Sequence, residues 1–130
     1  MPAPVTATYS AAAKVVAHTA FRDLIDAGTG AGKVFILDDS DVVLAEIPLN
    51  SPSGSINGTT GQLTFDIAGP DTSADATGTA AYCQFADGDD VVYLEVPAEL
   101  GVAAVSGKIV LNTLSIVAGG PVSIVSAVIG

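Results

Sequence analysis

The chain has few basic residues, few aromatic residues and no tryptophan, and each shortage argues against a class of function. Its 130 residues include four Lys or Arg against fourteen Asp or Glu, which gives a formal net charge of −10. This charge repels phosphate and no basic cluster offsets it, so we expect no binding to nucleic acid or to an anionic membrane. Aromatic residues make up 5% of the chain, which leaves few of the stacking platforms that carbohydrate-active enzymes use. Proteins or carbohydrates remain as the expected partners.

Cysteine is also scarce, because Cys83 is the only one. It can form no internal disulfide, and no Cys/His pair has the spacing of a zinc site. An alternating apolar run surrounds it, which favours a buried structural thiol over a reactive one. The N-terminus has no charged segment followed by an apolar stretch, so we expect no signal peptide and synthesis in the cytosol. The uncharged run 113–130 is broken by Gly119-Gly120-Pro121, which favours a buried hairpin over a membrane span.

What the sequence does have is an apolar content of 49%, mostly Ala, Val, Ile and Leu, with fourteen Gly and seven Pro. Apolar periodicity predicts one helix over 19–27, with a start as early as Ser10 left open, and Gly28 as its C-terminal cap. Residues 1–16 are predicted to form an N-terminal arm, and 17–130 a single domain. Turn signals about every ten residues indicate an antiparallel sandwich or barrel, and no fixed repeat suggests a solenoid. The predicted strands are 34–37, 42–47, 62–68, 78–86, 91–96, 108–111, 114–117 and 122–129.

The glycine-rich segment Gly28–Lys33 is similar to a phosphate-binding loop, but its context is reversed. Such loops follow a strand and open a helix, whose N-terminal N–H groups hold the phosphate. Here the helix comes first and the strand second. We therefore interpret the segment as a connector.

Two acidic turns could in principle supply oxygen ligands to a cation: Asp38, Asp39 and Asp41 form one, and Asp87, Asp89 and Asp90 the other. Neither has a closing Glu in a helix-flanked loop, and Asp and Gly also serve turns for backbone reasons, so solvated turns are favoured. His18 is the sole histidine and has no evident orienting carboxylate. The sequence therefore predicts no enzyme activity, no catalytic, cofactor-binding or metal-binding residue, and no cofactor.

Three stretches, in order and spacing along nearly the whole chain, resemble small virion proteins of tailed bacteriophages. They are Thr19–Gly28 continuing into Gly32–Ile36, then Asp71–Tyr82, and finally Ile109–Asn112 with Ile116–Ile124. The resemblance implies a capsid decoration, or cement, protein that lies on the outer shell and bridges capsomers. It also implies a jelly-roll fold, the major capsid protein and a second copy of the chain as partners, and a place on the virion surface after synthesis in the host cytoplasm.

These observations together predict a mainly β fold, an antiparallel β-sandwich or jelly roll of about eight strands with one short N-terminal helix. Two alternatives to the cement role stay open. One is a carbohydrate- or cation-binding β-sandwich module, for which the acidic turns argue. The other is a phage tail or connector component, since such proteins share the same general features.

Overall fold

The chain is described over residues 9–130 by a computed structural model, so the first eight residues of the predicted arm lie outside the described part. Helix α1 (Ala11–Asp26) begins after Ser10, whose hydroxyl accepts a hydrogen bond of 3.2 Å from the Ala13 amide. This N-cap, followed by three alanines of high helix propensity, explains the early start. Residues 11–16, predicted as part of the arm, therefore belong to the helix.

Nine strands follow the helix within the described residues, and seven of them close into a barrel in the order β1-β2-β3-β9-β7-β6-β5. Strands β6 and β7 are parallel neighbours, and the other neighbouring pairs are antiparallel. Strands β4 and β8 form a separate two-stranded sheet. The bounds are β1 (Lys33–Leu37), β2 (Val43–Ile56), β3 (Leu63–Ile67), β4 (Gly78–Thr79), β5 (Tyr82–Ala86), β6 (Val92–Leu100), β7 (Lys108–Leu111), β8 (Ser115–Ile116) and β9 (Ile124–Ile129).

The predicted sandwich or jelly roll is wrong, because this sheet closes on itself. Closure depends on the two longest strands, each of which changes partner along its length. Strand β2 pairs with β1 up to Pro48 and with β3 from Leu49 onward, and β6 pairs with β5 up to Pro97 and with β7 from Ala98 onward. A sandwich and a barrel both need strands in which inward-pointing apolar side chains alternate with outward-pointing ones. The sequence pattern therefore does not distinguish the two folds.

The predicted strand 42–47 ends too early, because β2 continues to Ile56. Ser53 and Gly54 are buried despite their loop-like composition. The Ser53 amide donates to both carboxylate oxygens of Asp26 at the end of α1, at 3.0 and 3.1 Å. A Cβ on Gly54 would lie 2.6 Å from the Thr64 carbonyl oxygen, so only glycine fits beside β3.

Aromatic side chains connect the helix to the barrel interior. Phe65 of β3 and Phe85 of β5 stack with ring centroids 4.1 Å apart, and Phe21 of α1 meets Phe65 edge-on at 6.2 Å. Ile25, one turn further along α1, is fully buried. The helix therefore covers part of the barrel and contributes to one continuous hydrophobic core.

Strands β1–β2 and β5–β6 form two copies of the same hairpin, which we call hairpin A (residues 33–48) and hairpin B (residues 82–97). Adding 49 to a residue number in hairpin A gives its counterpart in hairpin B. Both contain a register shift at the same place, between Ile36 and Leu37 in A and between Phe85 and Ala86 in B. The identical pairs are Asp38 and Asp87, Asp41 and Asp90, Val42 and Val91, Val43 and Val92, Glu46 and Glu95, and Pro48 and Pro97. The repeat is not apparent from the sequence, because the other ten of its sixteen positions all differ.

Candidate functional site

The two acidic turns are held by the same hydrogen bonds. Oδ1 of Asp38 accepts from the amides of Ser40 and Val42, both at 2.9 Å. Its counterpart in hairpin B, Asp87, accepts from the amides two and four residues ahead, at 2.9 and 3.0 Å. The last turn residue has a positive φ in both hairpins, 65° at Asp41 and 66° at Asp90. In each turn, one carboxylate therefore accepts hydrogen bonds from backbone amides of the same turn.

The two hairpins meet through β1 and β5, and this pairing relates them by an approximate two-fold axis. Phe35 lies opposite Gln84, and these two positions are counterparts of each other. The axis therefore passes between them, perpendicular to the sheet. Val34 and Ile36 point into the barrel and are fully buried, so the alternate side chains of these strands point outward.

The outward side chains of hairpins A and B form what we call the outer face. Glu46 lies opposite Phe35, and its counterpart Glu95 lies opposite Gln84, so each half carries one glutamate beside the axis. On each side of the axis, the outer face also carries one aspartate, which comes from the turn of the other hairpin. Outside the middle two residues of each turn, the charged positions of the two halves differ only at Lys33 and its counterpart.

In the first half, Lys33 lies near both acids and offsets one of their two negative charges. Its ammonium lies 2.5 Å from Asp90 Oδ1 and 3.4 Å from Glu46 Oε1. It also lies 6.0 Å from the centroid of the Phe35 ring. The hydrogen bond to Asp90 is the largest reason that the pKa of Lys33 is raised above its ordinary value, so the ammonium stays charged.

In the second half, the counterpart of Lys33 is Tyr82, which brings no charge. Its hydroxyl donates to Asp41 Oδ1 at 2.6 Å, and this bond raises the pKa of the Tyr82 phenol to about 12. Gln84 donates from Nε2 to Glu95 Oε2 at 3.0 Å. Within residues 9–130, the second carboxylate oxygen of Asp41 and that of Glu95 receive no hydrogen bond and no cation.

A groove runs along this second half and opens to solvent, with a volume of about 790 Å³. Leu37, Val43 and Pro97 supply much of its apolar wall. The two carboxylates of this half, Asp41 and Glu95, supply its negative charge. The groove can therefore receive an apolar chain that ends in a positive group.

The structure places the other residues singled out from the sequence in structural roles. Gly28–Lys33 connects α1 to β1, in the predicted order of helix and then strand. Cys83 is fully buried in β5, and burial raises the pKa of its thiol to about 12, as expected for a structural cysteine. His18 forms a hydrogen bond of 2.6 Å between Nδ1 and the Gly61 carbonyl oxygen. No group of three or more His, Cys, Asp or Glu in residues 9–130 is placed to hold a metal ion.

The outer face was not found by the sequence analysis, which considered each acidic turn separately. The repeated Asp-Val-Val and Glu-x-Pro positions were the available signal. Their meaning depends on the pairing of β1 with β5, which the spacing alone does not give.

No helix within residues 9–130 has both the length and the apolar character needed to cross a membrane. The chain matches no protein-family model, no curated protein and no solved structure.

Proposed function

We propose that this chain is a capsid decoration, or cement, protein of a tailed bacteriophage. It binds the major capsid protein on the outside of the assembled shell and stabilises the shell by bridging neighbouring capsomers. Copies of the chain also associate with each other in this proposal, as dimers or other homo-oligomers. The resemblance of the three sequence stretches to small virion proteins supports this role.

The observation that carries the proposal is an apolar loop exposed on an otherwise acidic protein. The connection between β6 and β7, residues 101–107, contains no charged residue. Val102 in this loop is 95% exposed, and Leu100 at the end of β6 is 59% exposed. Exposed apolar side chains that lie together are typical of protein-binding surfaces. The outer face provides a second surface, and bridging needs two.

The physical demands of a cement role are modest. A standard interface buries about 1,600 Å² in total, which a chain of this size can supply from one face and one loop. Many copies on one symmetric particle would hold each other in place, because a subunit that loses one contact stays close to it through the other. The net charge of −10 would keep the solvent side soluble.

Cryo-electron microscopy of the phage particle tests the proposal directly. We expect density that fits the seven-stranded barrel on the outer shell, at the seams between capsomers. Density only in the tail or connector, or none in the particle, would refute the capsid role.

A reconstitution experiment tests the loop. Purified protein is added to shells that lack it, and binding is followed by sedimentation. Val102→Ser is expected to weaken binding, whereas Val117→Ser, a control at a side chain that is 59% exposed outside the loop, is expected to bind as the wild type does. Equal binding by both variants would remove the loop from the interface.

A further inference from the structure

The two halves of the outer face provide an internal comparison. In one half a single ammonium, that of Lys33, contacts both an aspartate and a glutamate. The approximate two-fold axis places Asp41 and Glu95 in the same arrangement in the other half. That half has no lysine of its own and has an open groove instead. The first half thus shows that this arrangement of acids receives an ammonium group.

We infer that the groove lined by Asp41, Tyr82 and Glu95 is a docking site for a lysine side chain of a partner protein. The ammonium contacts the carboxylate oxygens of Asp41 and Glu95 that have no hydrogen bond in residues 9–130. The four-carbon stem lies along the apolar wall of Leu37, Val43 and Pro97, as lysine stems commonly do.

Charge explains why the lysine comes from another protein rather than from a second copy of this chain. Each copy carries a net charge of −10 and only four basic side chains. Arg22, Lys33 and Lys108 already lie within 4.0 Å of acids of their own chain. The negative field of this chain attracts a partner with a basic surface, and a second copy has no such surface to present to the groove. This inference rests on the proposed function in one respect only, which is the identification of the partner as the shell protein.

The isolated protein can be tested with a small probe. Nα-acetyl-lysine methylamide is titrated into isotope-labelled protein, and NMR follows the side-chain amide of Gln84 and the backbone amides of Asp41 and Glu95. We expect these signals to shift as the probe is added, and the shifts to saturate at millimolar probe concentrations. The analogue acetylated on Nε, which has no charge, is expected to cause no shift. Equal shifts with both compounds, or none with either, would overturn the lysine site.

Two variants test the site from the protein's side. Tyr82→Lys gives the second half its own ammonium, as Lys33 does in the first, and is expected to abolish the shifts caused by the probe. The double variant Asp41→Asn/Glu95→Gln removes both charges while keeping amides of similar size, and it covers the case in which Tyr82→Lys does not fold. Its control is Asp39→Asn/Asp66→Asn, which removes two exposed charges outside the groove.

Binding to shells separates this inference from the proposed function. We expect Tyr82→Lys and the double variant to bind shells at least about tenfold more weakly than the wild type and the control pair, as losing a charged contact commonly does. If all variants bind equally, the groove inference fails and the cement role stands. If wild-type protein binds the probe but no shell, the cement role fails and the groove stands.

Discussion

Asp87 is only 5% exposed, although its carboxylate lies in a turn at the end of a hairpin. Besides the two turn amides, its Oδ2 accepts a bond of 3.3 Å from the Tyr93 hydroxyl. A buried carboxylate with three donors fixes both the turn and the start of β6. Asp89 in the same turn and Asp39 in the turn of hairpin A share the residue type but not this role.

We expect Asp87→Ala to lower the free energy of unfolding by about 1–3 kcal/mol, since it leaves donors of the turn without their acceptor. Asp39→Ala removes the same charge from an exposed side chain that makes no hydrogen bond in residues 9–130, and its effect should stay within about 0.5 kcal/mol. Urea denaturation of both variants provides the measurement. Equal effects would mean that net charge, and not the turn, determines the change.

Tyr82 offers a titration that reports on the groove. Its folded-state pKa is about 12 against an ordinary value of 10.0, so the folded state holds this proton more tightly than the unfolded state. The contribution of this group to stability is therefore complete below pH 10 and is lost as the pH rises toward 12. Asp41→Asn should lower the pKa of Tyr82, because it removes the negative acceptor, and asparagine tolerates the positive φ at this position.

NMR titration of the Tyr82 ring carbon attached to oxygen measures this pKa. Asp90→Asn, the counterpart change in hairpin B, should leave the pKa of Tyr82 unchanged. A pKa that does not respond to Asp41→Asn would place the cause elsewhere than in the Asp41 hydrogen bond.

Single residues were partly predictable from the sequence. The burial of Cys83 and the turn role of the acidic clusters followed from alternation and from turn chemistry. The difference between Lys33 and Tyr82 did not, because the two positions are 49 residues apart and become comparable only when β1 pairs with β5. A lysine and a tyrosine in separate strands have no visible relation until the register between those strands is known.

At the scale of elements, β2 is the strand that most determines closure. Its first part belongs with β1 and its last part with β3, and the register shifts between Leu49 and Gly54 as it passes from one partner to the other. Gly54 allows β2 to approach β3 closely at this point.

Gly54→Ala is expected to destabilise the fold by about 1–3 kcal/mol, because its Cβ would meet the backbone of Thr64. Gly58→Ala is the matched control, since a Cβ there has nothing within 4 Å and its φ is not in the left-handed region. Thermal unfolding followed by circular dichroism compares the two. A loss of stability in Gly58→Ala as large as in Gly54→Ala would contradict this account.

The elements that form locally were the predictable ones. Hairpins A and B and helix α1 each lie within a short span, and their turn residues and apolar periods show in the sequence. The continuation of β2 through a Ser/Pro/Gly-rich stretch was not visible, since tertiary pairing overrides the turn preference of those residues. Closure into a barrel requires pairings between distant strands, for which the sequence carries no local signal.

For the whole molecule, charge makes the sharpest prediction. If the partner presents lysines, the rate of association with shells should fall as the sodium chloride concentration rises from about 0.05 to 0.5 M. Added salt screens the attraction between the charges and shortens its range. Stopped-flow light scattering measures this rate. A rate that stays constant would indicate an interface that forms without electrostatic steering, and a rate that rises would indicate an acidic partner surface.

The closed barrel also affects how this chain behaves when crowded. Each of its seven strands has two partner strands, so no strand of the barrel is an edge strand along its whole length. Within residues 9–130, the strands outside the barrel are β4 and β8, which are two residues long each. An apolar, strand-rich chain with open edges would be at risk of forming intermolecular sheets at high local concentration. Here closure of the barrel leaves less free backbone for such pairing, which reduces this risk when copies are densely packed on a surface.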